Sequence, residues 1–535
     1  MKTLLIITLF ITSLFSFSDE DITLQWLEKQ PTSIAKDFFI WRYLEKDITP
    51  EQSNQAISQM RYLSGKILHS YIDKSNDLNL QDYKKCMREN STNLLKREAY
   101  CIKAGLSMYD ATKLPQNELQ EFIKKAKKEY PKYAKELEVI QTKTPYKKLI
   151  KSDKETFFNI FNQSGSVFRA EKFDHYFPAS LFAKIKDDKR FAQTIKLIVT
   201  NLDMRKAQIS LLKLSPEGLS FHSVFHLAIN AIRHKKEDLS LIYLEDAFKK
   251  AYYRMDKDNI LFWQYQLTQD KKYLEDLSNS WDVNIYSLFA QELLEKENKH
   301  IVYMVKKTDK KLDKYDIKNP FEWLSVLENS KKMSEDKLKK YQKIFTTDET
   351  SGHLAFVKER YNRYKKSYFV TPYEKYLKDL SAQRKSLIYA LGRQESRFIP
   401  TSISSSYAMG AMQIMPFLSK AIAKELKEPY NIFEQFDAKT NLRYANHHLN
   451  YLEKHLSHPL FVAYAYNGGI GFTLRLLKTE LFKDKKYEPY LSMELLPYDE
   501  TKKYGKKVLA NYFVYTNYLK KEKISFSSLV NKIQN

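Results

Sequence analysis

Glycine and proline are scarce in this chain, whose 535 residues include only 11 glycines and 15 prolines. Average usage of roughly 7% and 5% would give far more of both. Because the tight turns of β-sandwiches and barrels depend on such residues, the shortage excludes an all-β protein. Only four glycines fall within the first 351 residues. We therefore predict an all-α fold, with a long body of helices joined by short polar turns.

The chain has only two cysteines, Cys86 and Cys101. On one continuous helix they would lie about 22 Å apart, beyond the reach of a disulfide. The intervening residues 90–93 (Asn-Ser-Thr-Asn) are typical of a turn followed by a helix N-cap. In an oxidising compartment we predict a helical hairpin bridged by a disulfide near its tip. Two buried free thiols are the alternative.

Long apolar runs are missing except at the N-terminus, where residues 4–15 form an apolar segment after a basic second residue. Ser16 and Ser18 follow at a spacing of two. A short positive start, an apolar core and small residues at this spacing predict a cleaved signal peptide over residues 1–18. We expect export to the periplasm and no transmembrane segment in the mature chain. An uncleaved N-terminal anchor is the alternative.

No basic block of the kind found in nucleic-acid-binding arms occurs, although the formal net charge is +24. Lysines are instead spread over predicted helix faces, for example at residues 124–128. A solvated surface explains this distribution, and attraction to an acidic polymer is the second interpretation. Charge alone would also fit an RNA-binding solenoid, but the predicted signal peptide argues against it. We therefore expect no nucleic-acid partner.

Apolar residues recur at helical spacing through most of the chain before residue 370. Two segments illustrate this: Phe221, Val224, Ala228, Ala231 and Ile232, and then Leu241, Leu244, Phe248, Ala251, Tyr252 and Met255. Helical hairpins stacked in series predict an α-superhelical (solenoid) domain. We predict this domain over residues 19–300, a helical linker domain over 301–369 and a compact catalytic domain over 370–535.

Glu395 is the first candidate for acid–base chemistry. It follows Leu391 by four residues on a predicted helix over 374–398, so it projects from the buried face. A carboxyl there is partly desolvated, which disfavours its charged form, raises its pKa and makes it a proton donor near neutral pH. The alternative is an ordinary helix-end glutamate paired with Arg393 or Arg397.

Four sequence blocks occur in order around this glutamate. They are Gln-Glu-Ser at 394–396, Gly-Ala-Met-Gln-Ile-Met-Pro at 410–416, Ala-Tyr-Asn-Gly-Gly at 465–469 and Glu-Leu-Leu-Pro-Tyr-Asp-Glu-Thr-Lys-Lys-Tyr at 494–504. With this ordered set, residues 370–520 resemble the catalytic domain of soluble lytic transglycosylases, whose fold is similar to that of goose-type lysozyme. The helical remainder fits that family's α-superhelix and short linker domain by composition and length alone.

The resemblance implies roles for residues at matching positions. Glu395 would be the catalytic acid and base. Tyr466 and Asn467 would close the cleft opposite the acid, and Glu494 would be a second cleft carboxylate. The substrate-binding residues implied are Ser404, Gln413, Met415, Tyr466, Asn467 and Glu494. The remaining signature residues, Glu500, Thr501 and Tyr504, are predicted to be structural.

Three residues depart from the family pattern. Tyr407 stands where Gly is usual, Ala411 where Leu is usual and Gly468 where Ala is usual. Tyr407 matters most, because a ring at this position is expected to narrow a saccharide subsite or to stack on a sugar. These departures bear on substrate fit more than on the reaction.

The reaction implied by the resemblance needs one carboxyl, whereas most glycosidases need two. The acid protonates the glycosidic oxygen between N-acetylmuramic acid and N-acetylglucosamine. The carboxylate then deprotonates the muramyl C6 hydroxyl, which attacks C1 of its own ring. We expect an exported enzyme that leaves 1,6-anhydromuramyl ends. A muramidase that uses water and a non-catalytic peptidoglycan-binding scaffold are the alternatives.

No cofactor or metal is expected, since the chain shows no P-loop, dinucleotide-binding glycine motif or Ser-His-Asp signature. Four histidines are clustered, but no Asp or Cys partner has convincing metal-ligand spacing, so surface or core-edge positions are predicted for His447, His448, His455 and His458. The expected partners are peptidoglycan glycan strands, with other cell-wall enzymes as further candidates.

Overall fold

The computed structural model of the protein describes residues 17–307, 315–483, 485–520 and 522–533. These ranges contain 33 α-helices, two 3-10 helices (Asp19–Asp21 and Ile432–Phe436) and one pair of two-residue strands. The all-α prediction is confirmed. None of the described helices is long and apolar enough to cross a membrane. The predicted signal peptide lies outside the described residues, apart from Phe17 and Ser18.

The N-terminal body is built from short helices, most of which are separated by only a few residues. Polar N-caps start many of them; the hydroxyl of Ser33, for example, accepts a hydrogen bond from the amide of Lys36 at 3.1 Å. The helices are α1 (Leu24–Glu28), α2 (Ile34–Leu44), α3 (Pro50–Ser58), α4 (Gly65–Lys74), α5 (Leu78–Cys86), α6 (Ser91–Leu94), α7 (Ala99–Gly105), α8 (Met108–Ala111), α9 (Gln116–Ala126), α10 (Pro131–Gln141), α11 (Pro145–Lys151), α12 (Lys154–Gln163), α13 (Ser166–Phe173), α14 (Ala179–Ile185), α15 (Phe191–Val199), α16 (Arg205–Leu211), α17 (Phe221–Arg233), α18 (Glu237–Lys250), α19 (Arg254–Thr268), α20 (Lys271–Ser278) and α21 (Ile285–Leu293).

One of the two predicted apolar faces forms as expected and the other is interrupted. The segment from Phe221 is the single helix α17, and its residues Val224, Ala228 and Ala231 are buried. The segment over 241–255 is split between α18 and α19, because the backbone leaves the helical conformation and becomes extended at Ala251. Tyr252, predicted to share the apolar face, is 87% exposed.

A disulfide links Cys86 and Cys101, as predicted, with their Cα atoms 5.0 Å apart. Cys86 ends α5 and Cys101 lies in α7, so the bridge joins two helices that are separated by the short α6. Asn90 caps α6 by accepting a hydrogen bond from the amide of Asn93 at 2.9 Å. The predicted turn and cap thus bring the two cysteines together.

The elements after α21 lie on either side of the predicted boundary at residue 370, and we call the two groups the linker segment and the C-terminal domain. The linker elements are β1 (Ile301–Val302), α22 (Pro320–Ser330), α23 (Glu335–Ile344), α24 (Ser351–Tyr361) and β2 (Ser367–Tyr368). The C-terminal helices are α25 (Glu374–Leu377), α26 (Ala382–Glu395), α27 (Pro416–Leu426), α28 (Ala438–Glu453), α29 (Pro459–Gly468), α30 (Ile470–Leu477), α31 (Tyr490–Glu494), α32 (Asp499–Leu519) and α33 (Phe526–Asn531).

Two local features lie close to the predicted boundary at residue 370. β1 pairs in parallel with β2, so the two ends of the linker segment are tied together just before the predicted boundary. The helix predicted over 374–398 is two helices, α25 and α26. Ser381 separates them, since its extended backbone cannot continue a helix and its hydroxyl caps the amide of Arg384 at 3.2 Å.

The N-terminal helices pack against the C-terminal domain, so the helical arc closes on itself. One buried cluster contains Phe38 of α2 together with Tyr407, Phe433 and Phe436 of the C-terminal domain. The ring of Phe38 lies 5.6 Å from Tyr407, 6.3 Å from Phe433 and 6.4 Å from Phe436, all in edge-on geometry. The indole of Trp41 stacks on Tyr407 at 5.5 Å.

Removing the ring of Phe38 tests this closure. Phe38→Ala should lower the free energy of unfolding by about 3–5 kcal/mol, because it leaves a cavity where α2 meets the C-terminal domain. Urea denaturation followed by circular dichroism measures the change. Tyr62→Ala, at a residue that is 72% exposed, is the control and should leave the midpoint unchanged. Equal midpoints for the two variants would contradict the packing described.

Candidate active site

Helix α26 carries Glu395 at its last position. Its apolar side, formed by Leu387, Ile388 and Leu391, is buried in the domain core. The helix packs along α32, and Tyr504 of α32 donates a hydrogen bond to Oε1 of Glu395 at 2.6 Å. The carboxyl therefore projects between two helices, as the helical spacing predicts.

The surroundings of Glu395 raise the pKa of its carboxyl to about 7. Burial is the main cause, since it disfavours the charged form. The hydrogen bond from Tyr504 acts in the opposite direction, and the nearby charge of Glu500 adds to the rise. Such a carboxyl is close to half protonated at neutral pH, which suits a group that first gives and then accepts a proton.

Arg393 and Arg397 do not pair with Glu395; both bind Glu359 of α24 instead. Arg393 donates from Nη2 to one oxygen of Glu359 at 3.0 Å, and Arg397 donates from Nε to the other, also at 3.0 Å. Glu359 is buried. Burial acts to raise its pKa, but the charges of Arg397 and Arg393 outweigh it and lower the pKa. The helix-end ion pair considered as the alternative role for Glu395 is therefore not formed.

This arrangement keeps two positive charges away from the candidate acid. An arginine within about 4–6 Å of a carboxylate lowers its pKa by 1–3 units, and here one lies two residues before Glu395 and one two residues after it. By holding both guanidinium groups, Glu359 prevents either from pairing with Glu395. Arg393 is fixed further, because it donates to the carbonyl of Tyr368 and to the side chain of Asn511.

The loop that follows Glu395 is held by its own polar side chains. The hydroxyl of Ser404 accepts a hydrogen bond from the amide of Ala408 at 2.9 Å. Gln413 donates from Nε2 to the carbonyls of Ser402 and Gly410, at 3.0 and 2.9 Å. The structure thus places both predicted substrate-binding residues in the turns of this loop, where they shape it. Met415, partly exposed, is the N-cap of α27.

Asn441 of α28 also holds this loop, a role that was not predicted from the sequence. It is fully buried, donates to the carbonyl of Met409 at 3.1 Å and accepts from the amide of Met412 at 2.8 Å. Gly410 lies directly against it with φ +86, so a side chain there would both collide with Asn441 and strain the backbone. Glycine suits position 410 for these two reasons.

Tyr466 and Asn467 lie at the end of α29, and Tyr466 is close enough to Glu395 for the charge of that carboxyl to act on it. The hydroxyl of Tyr466 donates to the carbonyl of Met412 at 2.8 Å, which ties α29 to the loop. Burial, with a smaller contribution from the charge of Glu395, raises the pKa of Tyr466 well above its usual value. Asn467 donates to Glu500 at 3.3 Å and accepts from the hydroxyl of Thr501 at 2.8 Å.

Glu494, by contrast, is buried where the N-terminal body meets the C-terminal domain. Its side chain is 2% exposed and paired with Lys506 of α32. It also accepts hydrogen bonds from Tyr286 at 2.8 Å and Asn259 at 3.0 Å, both in the N-terminal body. This geometry does not support the predicted substrate-binding role, because all these partners are protein groups in a buried contact.

The expected role of Tyr407 in a saccharide subsite is not supported either. The side chain is 3% exposed and packs on Phe38 and Trp41. Its φ of +67 explains why glycine would suit the position. The packing of the ring on α2 offsets a backbone strain of about 1–3 kcal/mol. At Gly468, another of the three departures, a Cβ would lie 2.8 Å from the hydroxyl of Thr501.

The four clustered histidines do not point toward a common site. His447 contacts Glu425 at 2.7 Å on the outer side of α28, and His458 is buried against the carbonyl of Leu529 at 3.0 Å. His448 and His455 contact the ring of Tyr451. Within the part of the chain that the structure describes, no group of three or more His, Cys, Asp or Glu residues is arranged to hold a metal ion.

The functional contacts that the sequence did not predict have different origins. Tyr504 belongs to a recognised motif, but its contact with Glu395 depends on how α32 packs on α26. Glu359 lies outside every motif, more than thirty residues before the acid in the linker segment. No local pattern distinguishes it from an ordinary helix-surface glutamate.

Comparison with known proteins supports the predicted resemblance. Residues 373–488 match the Transglycosylase SLT domain. The matched range includes Glu395 and most of the other predicted site residues, and ends before Glu494 and Tyr504. A soluble lytic murein transglycosylase of Haemophilus influenzae is 31% identical over 136 residues, which are 24% of this chain and 22% of the relative. The chain thus aligns with about a fifth of the relative's length.

Two solved structures are similar to nearly the whole chain. The 70 kDa soluble lytic transglycosylase of Escherichia coli superposes with a TM-score of 0.50 and 16% identity, covering 96% of this chain and 91% of that one. An inactive variant of lytic transglycosylase Slt from Pseudomonas aeruginosa gives a TM-score of 0.49 and 14% identity, and the match covers 95% of this chain and 90% of that one. The first likeness confirms the predicted fold, a superhelical α-body with a lysozyme-like domain. The resemblance to soluble lytic transglycosylases is confirmed as well.

Removing the carboxylate of Glu359 should strongly destabilise the protein. Glu359→Ala leaves two arginines without their shared partner, and breaking a buried ion pair from one side costs about 3–5 kcal/mol. Chemical denaturation measures the loss. Glu335→Ala removes the partner of Lys339 on the exposed side of α23 and is the control, with no resolvable change expected. Similar midpoints for both variants would contradict the anchoring role of Glu359.

Proposed function

We propose that this protein is an exported lytic transglycosylase that acts on peptidoglycan glycan strands. It cleaves the β-1,4 bond between N-acetylmuramic acid and N-acetylglucosamine and leaves 1,6-anhydromuramyl ends. The observation that carries the proposal is Glu395, a carboxyl with a pKa near 7 that accepts a hydrogen bond from Tyr504 inside an SLT domain.

In the first step, protonated Glu395 donates its proton to the glycosidic oxygen as the bond to C1 of the muramyl residue breaks. The N-acetylglucosamine leaves with a free hydroxyl, and positive charge develops at C1 and the ring oxygen. A carboxyl with an ordinary pKa would be almost fully ionised at pH 7 and unable to supply this proton. Burial of Glu395 therefore makes the first step possible at neutral pH.

In the second step, the Glu395 carboxylate accepts the proton of the muramyl C6 hydroxyl. The C6 oxygen bonds to C1 of the same ring, which closes the 1,6-anhydro bridge and regenerates the protonated acid. No water is consumed. Because nucleophile and electrophile belong to one sugar, the step has the advantage of an intramolecular reaction, worth several kcal/mol. The hydroxyl of Tyr504 stabilises the carboxylate between the two steps.

The muramidase alternative has one specific observation in its favour. The charge of Glu500 acts on Glu395, so a second carboxylate lies in the neighbourhood. In a hydrolase it would activate water. Glu500 is instead engaged with the side-chain amide of Asn467 at 3.3 Å, which in turn is held by Thr501. We therefore assign Glu500 to positioning Asn467 and to raising the pKa of Glu395.

Export and a periplasmic location belong to the same proposal. The N-terminal sequence has the pattern of a signal peptide, and the bridge between Cys86 and Cys101 suits an oxidising compartment. The net charge of +24 would favour the carboxylates of the peptide stems of the substrate. The proposed partners are glycan strands, with other cell-wall enzymes as further candidates.

Mass spectrometry of the soluble products from purified sacculi tests the proposal. The protein should release fragments ending in 1,6-anhydromuramic acid, one water lighter than reducing ends, and Glu395→Gln should release none. Asp379→Asn, in the link before α26, controls for the loss of a carboxylate in the same domain. Reducing ends from the unaltered protein would indicate a muramidase. The absence of any product would favour the non-catalytic scaffold.

Two substitutions should shift the pH dependence of the activity in opposite directions. Only protonated Glu395 can start the reaction, so activity falls as pH rises through its pKa. Tyr504→Phe removes the interaction that lowers this pKa, so the falling limb should move to higher pH. Glu500→Gln removes a charge that raises it, so the limb should move to lower pH. Both shifts are measured from the rates of anhydromuramyl formation between pH 5 and 9, in steps of about 0.5 pH unit. Shifts in the same direction would contradict the assignments.

A further inference from the structure

A row of four rings leads away from the candidate acid along α28. Tyr466, beside Glu395, lies 5.8 Å from His448 between ring centroids. His448 is stacked against Tyr451 at 6.2 Å, and Tyr451 contacts His455 edge-on at 5.4 Å. We call Tyr466, His448, Tyr451 and His455 the aromatic row.

The spacing of α28 places the outer three rings on one side. His448 and Tyr451 are three residues apart, and His455 follows four residues later in the turn after the helix, so the rings are neighbours. All four are at least partly exposed, and Tyr451 is 46% exposed. An aromatic side chain that served only the core would be covered, so this surface is open to a partner.

The neighbouring positions of α28 are used differently. His447 contacts Glu425 of α27, whereas Asn446 and Asn450 accept hydrogen bonds from Arg384 of α26 at 2.7 and 2.8 Å. These contacts fix the helix on both sides of the row. The hydroxyl of Tyr466 is fixed on the carbonyl of Met412, so the inner end of the row is rigid as well.

The chemistry of the row suits a sugar chain. Phenol and imidazole rings have flat apolar faces and polar edges, and a pyranose ring likewise has an apolar face of C–H groups and an edge of hydroxyls. Burial lowers the pKa of His448, which favours its neutral form. A neutral imidazole stacks without the cost of covering a charge and can still exchange a hydrogen bond with a hydroxyl.

We propose that the aromatic row is a binding path for glycan residues beyond the cleavage site. The inference rests on the proposed function, and the continuity of the row with Tyr466 and Glu395 identifies the glycan strand as its occupant. The row makes long strands better ligands than short ones, because only a strand that extends past Tyr466 covers Tyr451 and His455. The protein would therefore act preferentially on long strands.

Binding measured without cleavage tests this inference. Glu395→Gln protein is titrated calorimetrically with glycan strands freed of stem peptides and separated by length, from tetrasaccharide upwards. Affinity should rise with length, and adding Tyr451→Ala should weaken the binding of long strands about three- to tenfold, the range for losing one ring contact. Adding both Tyr451→Ala and His455→Ala should abolish the further gain in affinity of strands long enough to extend past His448.

Two comparisons make the result decisive. His447→Ala, at the neighbouring position whose side chain contacts Glu425 and no ring of the row, should retain the full dependence on length. The inference is wrong if His447→Ala weakens the binding of long strands as much as Tyr451→Ala does. It is also wrong if the double variant still binds the longest strands more tightly than shorter ones. Thermal unfolding confirms that each variant is folded. Since no cleavage is needed, a length dependence that requires Tyr451 supports the row even if the unaltered protein yields no anhydromuramyl ends, which would instead refute the proposed function.

Discussion

The structure of the site depends on keeping the charge of Glu395 uncompensated. A buried carboxylate normally attracts the nearest cation, and two arginines lie within two residues of this one. Glu359 binds both of them, so neither lowers the pKa of Glu395, which stays high. The only side-chain donor bonded to the acid within the described residues is the neutral hydroxyl of Tyr504. The result is a carboxyl that can hold a proton at neutral pH.

The long helical body contributes to this site through contacts rather than through residues in the cleft. The α2 helix packs on Tyr407, within the loop that carries Ser404 and Gln413. On another side, Tyr286 and Asn259 bind Glu494, which pairs with Lys506 only two residues after Tyr504 in α32. The loop and the helix that frame Glu395 are thus both held by the N-terminal body. The linker segment supplies a third support, Glu359.

The parts of the fold predicted from sequence were those set by local pattern. The scarcity of glycine indicated an all-α chain, the spacing of Glu395 placed it on a buried helix face, and the turn between the cysteines allowed their bridge. Roles that depend on long-range packing were not predictable in this way. Tyr407 and Glu494 were assigned by motif to the cleft, yet the N-terminal helices cover both. A resemblance limited to the catalytic domain carries no information about contacts with the rest of the chain.

Glu395 holds a proton near neutral pH because it is buried and has no cationic partner among the residues that the structure describes. Difference infrared titration of the unaltered protein against Glu395→Gln measures this directly, through the C=O band of the protonated carboxyl. We predict that one such band is lost with a midpoint near pH 7. Loss of the band at the ordinary pKa of a glutamate, about 4.3, would show that the acid is solvated or paired and would contradict the account.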